Sequence, residues 1–250
     1  MPPSSAPRRS TENKILAALS NPESLRFSSQ VERVTLAQGE VIYDPETKIE
    51  YVYFPETAVF SMLATMHDGS TVEVGPVGDE GMLGLRVFLG ADNAIYQALV
   101  HVGGSAMRMK ADVLREELRA ENSALPGLLL RYTRMLLAMT GQSLACNKLH
   151  SLEQQLARWL LMMHDYVGDE LLLTHELMSL TLGVRRAGVS GAAHDFKGAG
   201  LIDYQRGRIH ILDRQGLETI ACECYRNVKD EYDRLYDDLR QLSNLTNAPL

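Results

Sequence analysis

Two adjacent arginines at the start of a helical segment, Arg185 and Arg186, are the side chains of this sequence that best fit a defined chemistry. An arginine donates paired hydrogen bonds either to a phosphate or to the edge of a guanine base. Neighbouring polar and basic side chains would extend the same surface, so the sequence predicts binding of double-stranded DNA. We expect the DNA-contacting residues to be Thr174, His175, Arg185, Arg186, Ser190, Arg206 and Arg208.

The elements that must position these side chains are predicted over residues 174–212, in the order helix, tight turn, helix and β-hairpin. Thr174 is suited to cap the first helix and Gly183 to end it. A helix-turn-helix requires a small residue, a turn glycine and apolar anchors at fixed places, and these places hold Ser179, Gly183, Val184, Val189 and Ala192. The second helix, predicted over 185–198, would present its N-terminal residues to the major groove. An ordinary pair of helices beside a β-hairpin is the alternative.

Two further features belong to this segment. Residues 200–204 and 208–212 alternate with period two around a turn at 205–207, which predicts a hairpin whose basic tip lies along a phosphate backbone. Gly188 and Gly191 fall inside the second helix, where each costs about 1 kcal/mol relative to alanine. We expect close approach to DNA or to the first helix to explain them.

Composition is compatible with this prediction. The net charge of the 250-residue chain is −7, but the distribution of charge matters more than its sum, and residues 183–212 are locally basic whereas 213–240 are rich in acids. DNA affinity should then depend on salt and on dimerisation. Since no apolar run approaches the roughly 20 residues of a membrane span and no signal peptide is evident, we expect a cytoplasmic protein with no membrane partner.

Cysteines and histidines give little reason to expect a metal, a cofactor or an enzyme. Cys222 and Cys224 are two apart in a predicted helix, so they would point to different faces and chelate poorly. Cys146 stands alone in another helix, and we expect three buried, inert thiols. His164, His175, His194 and His210 lack the i, i+4 spacing of helix-borne metal ligands, and no glycine-rich phosphate loop is present.

The rest of the chain predicts an α+β protein. Short β-runs between about residues 31 and 109 suggest a barrel or sandwich, and helices are predicted over 111–121, 125–149 and 152–167. The helix at 125–149 carries a 3-4 spaced face that we expect to form a dimer seam, although the same face could pack on the β-domain of its own chain. That face comprises Leu129, Tyr132, Leu136, Met139, Ser143 and Cys146.

Several sequence stretches together resemble the Crp/Fnr superfamily of bacterial transcription factors, named after the cyclic-AMP receptor protein and the fumarate-nitrate regulator. They are residues 36–43 (LAQGEVIY), 51–55 (YVYFP), 78–84 (GDEGMLG), 155–161 (QLARWLL) and 183–189 (GVRRAGV). The resemblance implies an N-terminal β-barrel of the cyclic-nucleotide-binding-like, double-stranded β-helix type, a long dimerisation helix and a C-terminal winged helix-turn-helix. The domains expected are a sensor at 12–122, a dimerisation helix at 123–150, a DNA-binding domain at 151–213 and a helical extension at 214–250.

The resemblance also shows where this sequence departs from the family. Members that bind cyclic nucleotides hold the ribose with a glutamate and the phosphate with an arginine, and both are missing from the corresponding text here, Gly84-Leu85 and Ile95-Tyr96-Gln97-Ala98. Cyclic-AMP binding is therefore not expected, and any remaining ligand contacts would involve Gly84, Arg86, Tyr96, Gln97 and Thr140. Ala187 replaces a glutamate common on the recognition helix, which predicts a different operator sequence with the same mode of docking.

The function expected from the sequence is that of a homodimeric, sequence-specific transcription regulator that reads a pseudo-palindromic operator through the helix at 185–198. Its expected partners are promoter DNA, a second copy of the chain, RNA polymerase and an unknown small-molecule effector. The alternative is a module that binds a cyclic nucleotide or another small molecule, with a helix-turn-helix that serves protein contacts.

Overall fold

The computed structural model describes residues 12–19, 21–121, 123–205 and 207–246. Within these ranges the chain divides into two compact units. The β-rich unit contains residues 12–64, 74–138 and 230–246, and the helix-rich unit contains residues 65–73 and 139–229. No helix in the described ranges combines the length and apolarity that a bilayer crossing requires.

The β-rich unit is built on seven strands, and each of the predicted β-runs is confirmed. The strands are β1 (Glu32–Leu36), β2 (Val41–Tyr43), β3 (Tyr51–Pro55), β4 (Val59–Thr65), β5 (Thr71–Val77), β6 (Gln97–Val102) and β7 (Gly104–Lys110). They form a three-stranded sheet in the order β1-β7-β3 and a four-stranded sheet in the order β2-β6-β4-β5. The described strands therefore make two open sheets rather than the single closed barrel expected, while the α+β class is confirmed.

Burial of large apolar side chains explains why these strands pair as they do. Phe54 on β3 and Phe60 on β4 are fully buried, as are Val52 and Val100. A shift of one residue in register would turn such side chains to solvent, so the register is strongly specified. The described residues of this unit also form the short helices α1 (Lys14–Ala17), α2 (Asn21–Ser28), α3 (Leu85–Phe88) and α4 (Ala111–Arg119).

One buried side-chain amide connects α1 to other parts of the β-rich unit. Asn13 caps α1, because its Oδ1 accepts hydrogen bonds from the backbone N–H groups of Ile15 and Leu16. Its Nδ2 donates to the carbonyl oxygens of Pro55 (3.0 Å) and Gly81 (2.8 Å). Asn13 is 1% exposed, so the loss of either partner would leave a buried polar group unpaired.

The long helix α5 (Leu125–Leu149) has the predicted span, but the predicted dimer seam is wrong. Leu129, Tyr132, Met139 and Cys146 are each no more than 1% exposed in the single chain. Gly81 packs directly against the Tyr132 ring, and Ser143 Oγ accepts a hydrogen bond from Arg158 at 3.2 Å. The seam face is therefore covered by its own chain: the part at Leu129 and Tyr132 is buried within the β-rich unit, as the alternative had it, and the part at Ser143 and Cys146 within the helix-rich unit.

The helix-rich unit continues with short elements after α5. These are α6 (Leu152–Val167), β8 (Glu170–Leu172), α7 (His175–Leu182), α8 (Arg186–Gly198), β9 (Ile202–Gln205), β10 (Arg208–Ile211), α9 (Arg214–Ile220) and α10 (Cys224–Thr246). Ser151 and Gln154 form a capping box at the start of α6, which satisfies two backbone N–H groups that would otherwise lack partners. The strands pair in the order β8-β10-β9, so the predicted hairpin gains a third strand.

The expectation that Cys222 and Cys224 share a helix is also wrong. Helix α9 ends at Ile220 and α10 begins at Cys224, so Cys222 lies in the connection between them. Cys146, Cys222 and Cys224 are all buried, and burial raises the pKa of the Cys146 and Cys224 thiols. The thiols are brought together, with 3.5 Å between the sulfur atoms of Cys146 and Cys222.

Candidate nucleic-acid interface

The helix-turn-helix is built from α7, a glycine turn and α8. Thr174 Oγ1 accepts a hydrogen bond from the Leu177 N–H at 3.1 Å, which fixes the start of α7. Gly183 adopts a left-handed conformation (φ 63°), where a side chain would be strained. The Val184 N–H then bonds to the Ser179 carbonyl at 3.1 Å, and the chain turns into α8.

Helix α8 divides into an apolar inner face and an exposed outer face. Val189, Ala192, Ala193 and Phe196 are buried, which confirms Val189 and Ala192 as anchors of the motif. Arg185, Arg186, Ala187, Gly191 and His194 are exposed. An amphipathic helix of this kind is held by its inner face and can offer the other face to a partner.

The N-terminus of α8 has the chemistry of an anion-binding surface. Arg185 occupies the N-cap position, and no side chain caps the helix there. Backbone N–H groups at an uncapped helix start favour negative charge. Within the described ranges, neither Arg185 nor Arg186 forms an ion pair with a carboxylate. Two guanidinium groups and a helix N-terminus are therefore presented together, and a phosphate backbone carries the complementary charge.

His175 and Ser190 are brought together, but they contact each other. The Ser190 hydroxyl lies 2.9 Å from His175 Nδ1, and the imidazole stacks on the Tyr204 ring with 4.3 Å between centroids. Burial lowers the pKa of His175, and the nearby charge of Arg186 lowers it further. This pair therefore ties α7, α8 and β9 together.

The hairpin carries less free positive charge than the sequence suggested. The Arg208 guanidinium is paired with Glu170 of β8 at 2.6 Å, and Lys197 is paired with Asp203 at 2.7 Å. The role of Glu170 could not be predicted from the sequence, because β8 has only three residues and no strong strand signal. Arg206, predicted for the tip of the hairpin, lies outside the described residues. Arg185 and Arg186 remain the basic pair without an acidic partner in this region of the described chain.

The two glycines of α8 have different surroundings. A Cβ on Gly188 would lie 3.0 Å from Leu152 Cδ2, so this glycine permits close packing against the start of α6 rather than against α7. A Cβ on Gly191 would meet no atom within 4 Å. Packing within the chain thus explains Gly188 and gives no reason for Gly191.

The predicted ligand residues of the β-rich unit are engaged within that unit. Gly84 has a left-handed conformation (φ 93°), and a Cβ there would lie 2.9 Å from Tyr43 Oη and from Val52 Cγ1. Arg86 Nε donates to the Asn93 carbonyl at 2.8 Å, and Gln97 Nε2 donates to Asp44 Oδ1 at 2.9 Å. Of the other two predicted residues, Tyr96 is half-buried just before β6, whereas Thr140 belongs to α5 and to the helix-rich unit.

Comparison with known proteins agrees with this architecture. Residues 154–220 match the family model of the Crp-like helix-turn-helix domain, and no curated protein sequence matches the chain. Among solved structures, FixK2 from Bradyrhizobium japonicum is 18% identical, with a TM-score of 0.66 over 77% of this chain and 98% of its own. A CRP-family transcriptional regulator from Thermus thermophilus, TTHB099, is 18% identical, with a TM-score of 0.65 over 76% and 96%.

A third structural relative shows how far sequences diverge within this fold. CLP from Xanthomonas campestris, a global regulator responsive to c-di-GMP, is 13% identical, with a TM-score of 0.60 over 75% of this chain and 96% of its own. At such identities the likeness is one of fold, whereas the family model identifies the C-terminal domain. The chain therefore carries a Crp-like helix-turn-helix domain within the fold of the Crp/Fnr superfamily of transcription regulators, as its sequence resemblance predicts.

Proposed function

We propose that this protein is a homodimeric transcription regulator that reads a specific DNA sequence with α8. The observation that carries the proposal is the pair Arg185 and Arg186 at the start of α8. Both are exposed and have no acidic partner among the described residues, and no side chain caps the helix there. The opposite face of α8 is buried in the domain. In a helix-turn-helix, the N-terminal residues of the second helix are those that reach base edges in the major groove.

The two arginines have different parts in this proposal. Arg185 lies at the N-cap, where its guanidinium and the first N–H groups of α8 bind a phosphate and fix the position of the helix. Arg186, in the first turn, donates two hydrogen bonds to O6 and N7 of a guanine. Ala187 has no carboxylate to accept a hydrogen bond from cytosine, so the base pair that it faces is read weakly.

The proposed dimer uses a face of α5 that the described part of its own chain leaves exposed. Leu130, Leu137 and Leu144 are 59%, 70% and 74% exposed. They recur every seven residues, which is the spacing of a coiled-coil seam. A second copy of the same helix would bury this apolar row and give the two-fold symmetry of a pseudo-palindromic operator. The proposed dimer seam therefore consists of Leu130, Leu137 and Leu144, and not of the face centred on Tyr132 that the sequence predicted.

The β-rich unit does not bind cyclic AMP in this proposal. The segment at residues 84–98 has no phosphate-binding arginine at the place that the family resemblance requires, and the nearby Arg86 already donates to a backbone carbonyl. A different small molecule would act by binding one arrangement of the dimer more tightly than another.

Selection from random duplexes tests the function directly. The full chain should enrich DNA that contains two inverted half-sites with centres roughly 34 Å apart, one helical turn. An Arg186→Ala chain selected in parallel should lose the guanine at one fixed position in each half-site. Failure of the unchanged chain to enrich any sequence would refute the proposal, and enrichment of unpaired single half-sites would refute its dimeric form.

A further inference from the structure

Four potential metal-binding side chains converge inside the helix-rich unit. They are Cys146 and His150 near the end of α5, Cys222 between α9 and α10, and Cys224 at the start of α10. Their sulfur and nitrogen atoms all lie within 4.8 Å of one another. The three cysteines are at most 5% exposed, and His150 is half-buried.

Two of the separations between these atoms are close to the edges of one tetrahedron, and the others are at most 4.8 Å. Bond lengths of about 2.3 Å for zinc–sulfur and 2.0 Å for zinc–nitrogen imply edges of about 3.8 Å between two sulfurs and 3.5 Å between sulfur and nitrogen. The Cys146 and Cys222 sulfurs are 3.5 Å apart, and Cys224 Sγ lies 3.5 Å from His150 Nδ1. Small shifts would bring all four atoms to a single ion.

The backbone explains how four ligands from two distant segments can meet. Cys146 and His150 are four residues apart at the end of α5, so they share one face of the helix. Cys222 precedes α10 and Cys224 is its first residue, so the helical geometry that would send their side chains to different faces does not apply.

Surrounding groups are arranged as expected around a bound metal. His150 Nε2, the nitrogen that faces away from the cysteines, lies 3.4 Å from Glu223 Oε2. Metal-ligating histidines commonly donate their second N–H to a carboxylate, which orients the ring. Gln142 Nε2 also donates a hydrogen bond to Cys224 Sγ at 3.0 Å, an interaction that strengthens when the sulfur is a thiolate.

A buried arginine in this unit lacks a compensating negative charge among the described residues. Arg158 is 5% exposed, and its charge acts on the Cys146 thiol. Its Nε has no hydrogen-bond partner among the described residues, and no carboxylate in that part of the chain pairs with it. A buried cation without an anion is costly. Three thiolates, one neutral histidine and a divalent ion carry a net charge of −1, which would compensate it.

We propose that Cys146, His150, Cys222 and Cys224 bind one zinc ion in a closed, tetrahedral, structural site. Each thiol releases its proton to solvent when the ion binds, and no electron transfer is involved. Four protein ligands leave no open position for a reacting water, so the ion joins the end of α5 to the α9–α10 connection. Because the atoms lie so close together, one ion fits better than an iron–sulfur cluster.

Metal analysis of the full chain tests this site without reference to DNA. Protein purified without chelator should contain about one zinc ion per chain. Replacement by Co²⁺ should produce the intense d–d absorption of a tetrahedral site, together with thiolate-to-metal charge-transfer bands. Cys222→Ser and His150→Asn should each weaken metal binding by about 10-fold or more. His67→Asn, which changes an exposed histidine in the β4–β5 turn, should bind metal like the unchanged chain.

The unchanged chain also provides a test that does not depend on the folding of variants. Removal of the ion with a chelator should lower the melting temperature, and addition of Zn²⁺ should restore it, since a metal that binds the folded state stabilises it. Three results would overturn the proposal: no Co²⁺ spectrum and an unchanged melting temperature, iron with acid-labile sulfide in the purified protein, or a Cys146–Cys222 disulfide in freshly isolated chain.

Discussion

At the scale of single residues, the proposed recognition of DNA depends most on Arg186. Replacement of Arg186 by alanine should weaken binding to a selected operator by about 1 to 3 kcal/mol, or roughly 5- to 150-fold, because one bidentate base contact is lost. Fluorescence anisotropy measures the change. The matched control is Arg33→Ala, which removes an exposed arginine that is paired with Glu56 in the β-rich unit. Equal affinities for the operator in both variants would contradict the assigned contact.

His101 predicts how stability depends on pH. It is fully buried on β6 with Nδ1 3.0 Å from the Ser61 hydroxyl, and burial lowers its pKa from 6.5 to about 4. The unfolded chain takes up a proton near pH 6.5 whereas the folded chain resists it until about pH 4. The stabilisation by neutral His101 is therefore complete above pH 6.5 and lost as the pH falls towards 4.

Denaturant unfolding at several pH values tests that prediction. Between about pH 7 and pH 5 the unchanged chain should lose roughly 2 kcal/mol more unfolding free energy than His101→Asn does, since each pKa unit corresponds to about 1.4 kcal/mol. His67→Asn should follow the unchanged chain. Parallel pH curves for the unchanged chain and His101→Asn would show that folding does not lower the pKa of His101, which would contradict the prediction.

At the scale of elements, the two glycines of α8 provide a matched pair. Gly191→Ala should raise the free energy of unfolding by about 0.5 to 1 kcal/mol, because the new methyl group meets no atom and alanine favours helix. Gly188→Ala should gain less or destabilise, because its Cβ would lie 3.0 Å from Leu152 Cδ2. Urea denaturation measures both variants. An equal gain from both would mean that α8 does not pack on Leu152 as described.

The elements that could be predicted from sequence are those whose signals are local. Helices α5 and α6, the turn at Gly183 and the β9–β10 hairpin follow from periodicity, capping and turn residues within a few positions. Helix α2 and strand β8 were missed. Short elements of this kind depend on tertiary partners such as β10, which pairs with β8, so their own residues signal them weakly.

Features that depend on distant segments could not be predicted in the same way. Periodicity showed that α5 has an apolar face, but not that the face around Tyr132 is covered by its own chain. The proposed metal cluster joins Cys146 to Cys222, which are 76 residues apart, and no local spacing relates them. The pairing of Arg208 with Glu170 likewise arises only when β8 and β10 align.

At the scale of the whole molecule, function requires two copies. The double variant Leu137→Glu, Leu144→Glu places charges in the proposed seam and should convert the dimer into a monomer in sedimentation experiments. Its affinity for an inverted-repeat operator should fall strongly, because two linked half-site contacts are replaced by one. Leu25→Glu changes a leucine that is 75% exposed outside α5 and should leave the assembly unchanged. A dimer that persists in the double variant would place the interface elsewhere.

Hydroxyl-radical footprinting of the full chain on a selected operator shows directly how the two copies of α8 dock on DNA. We expect two protected windows on one face of the duplex, roughly 34 Å apart and related by a two-fold axis, each of them reporting one α8 in the major groove. Both windows should fade together with Arg186→Ala at concentrations that saturate the unchanged chain. A single window at saturation, or protection that Arg186→Ala leaves intact, would contradict the account.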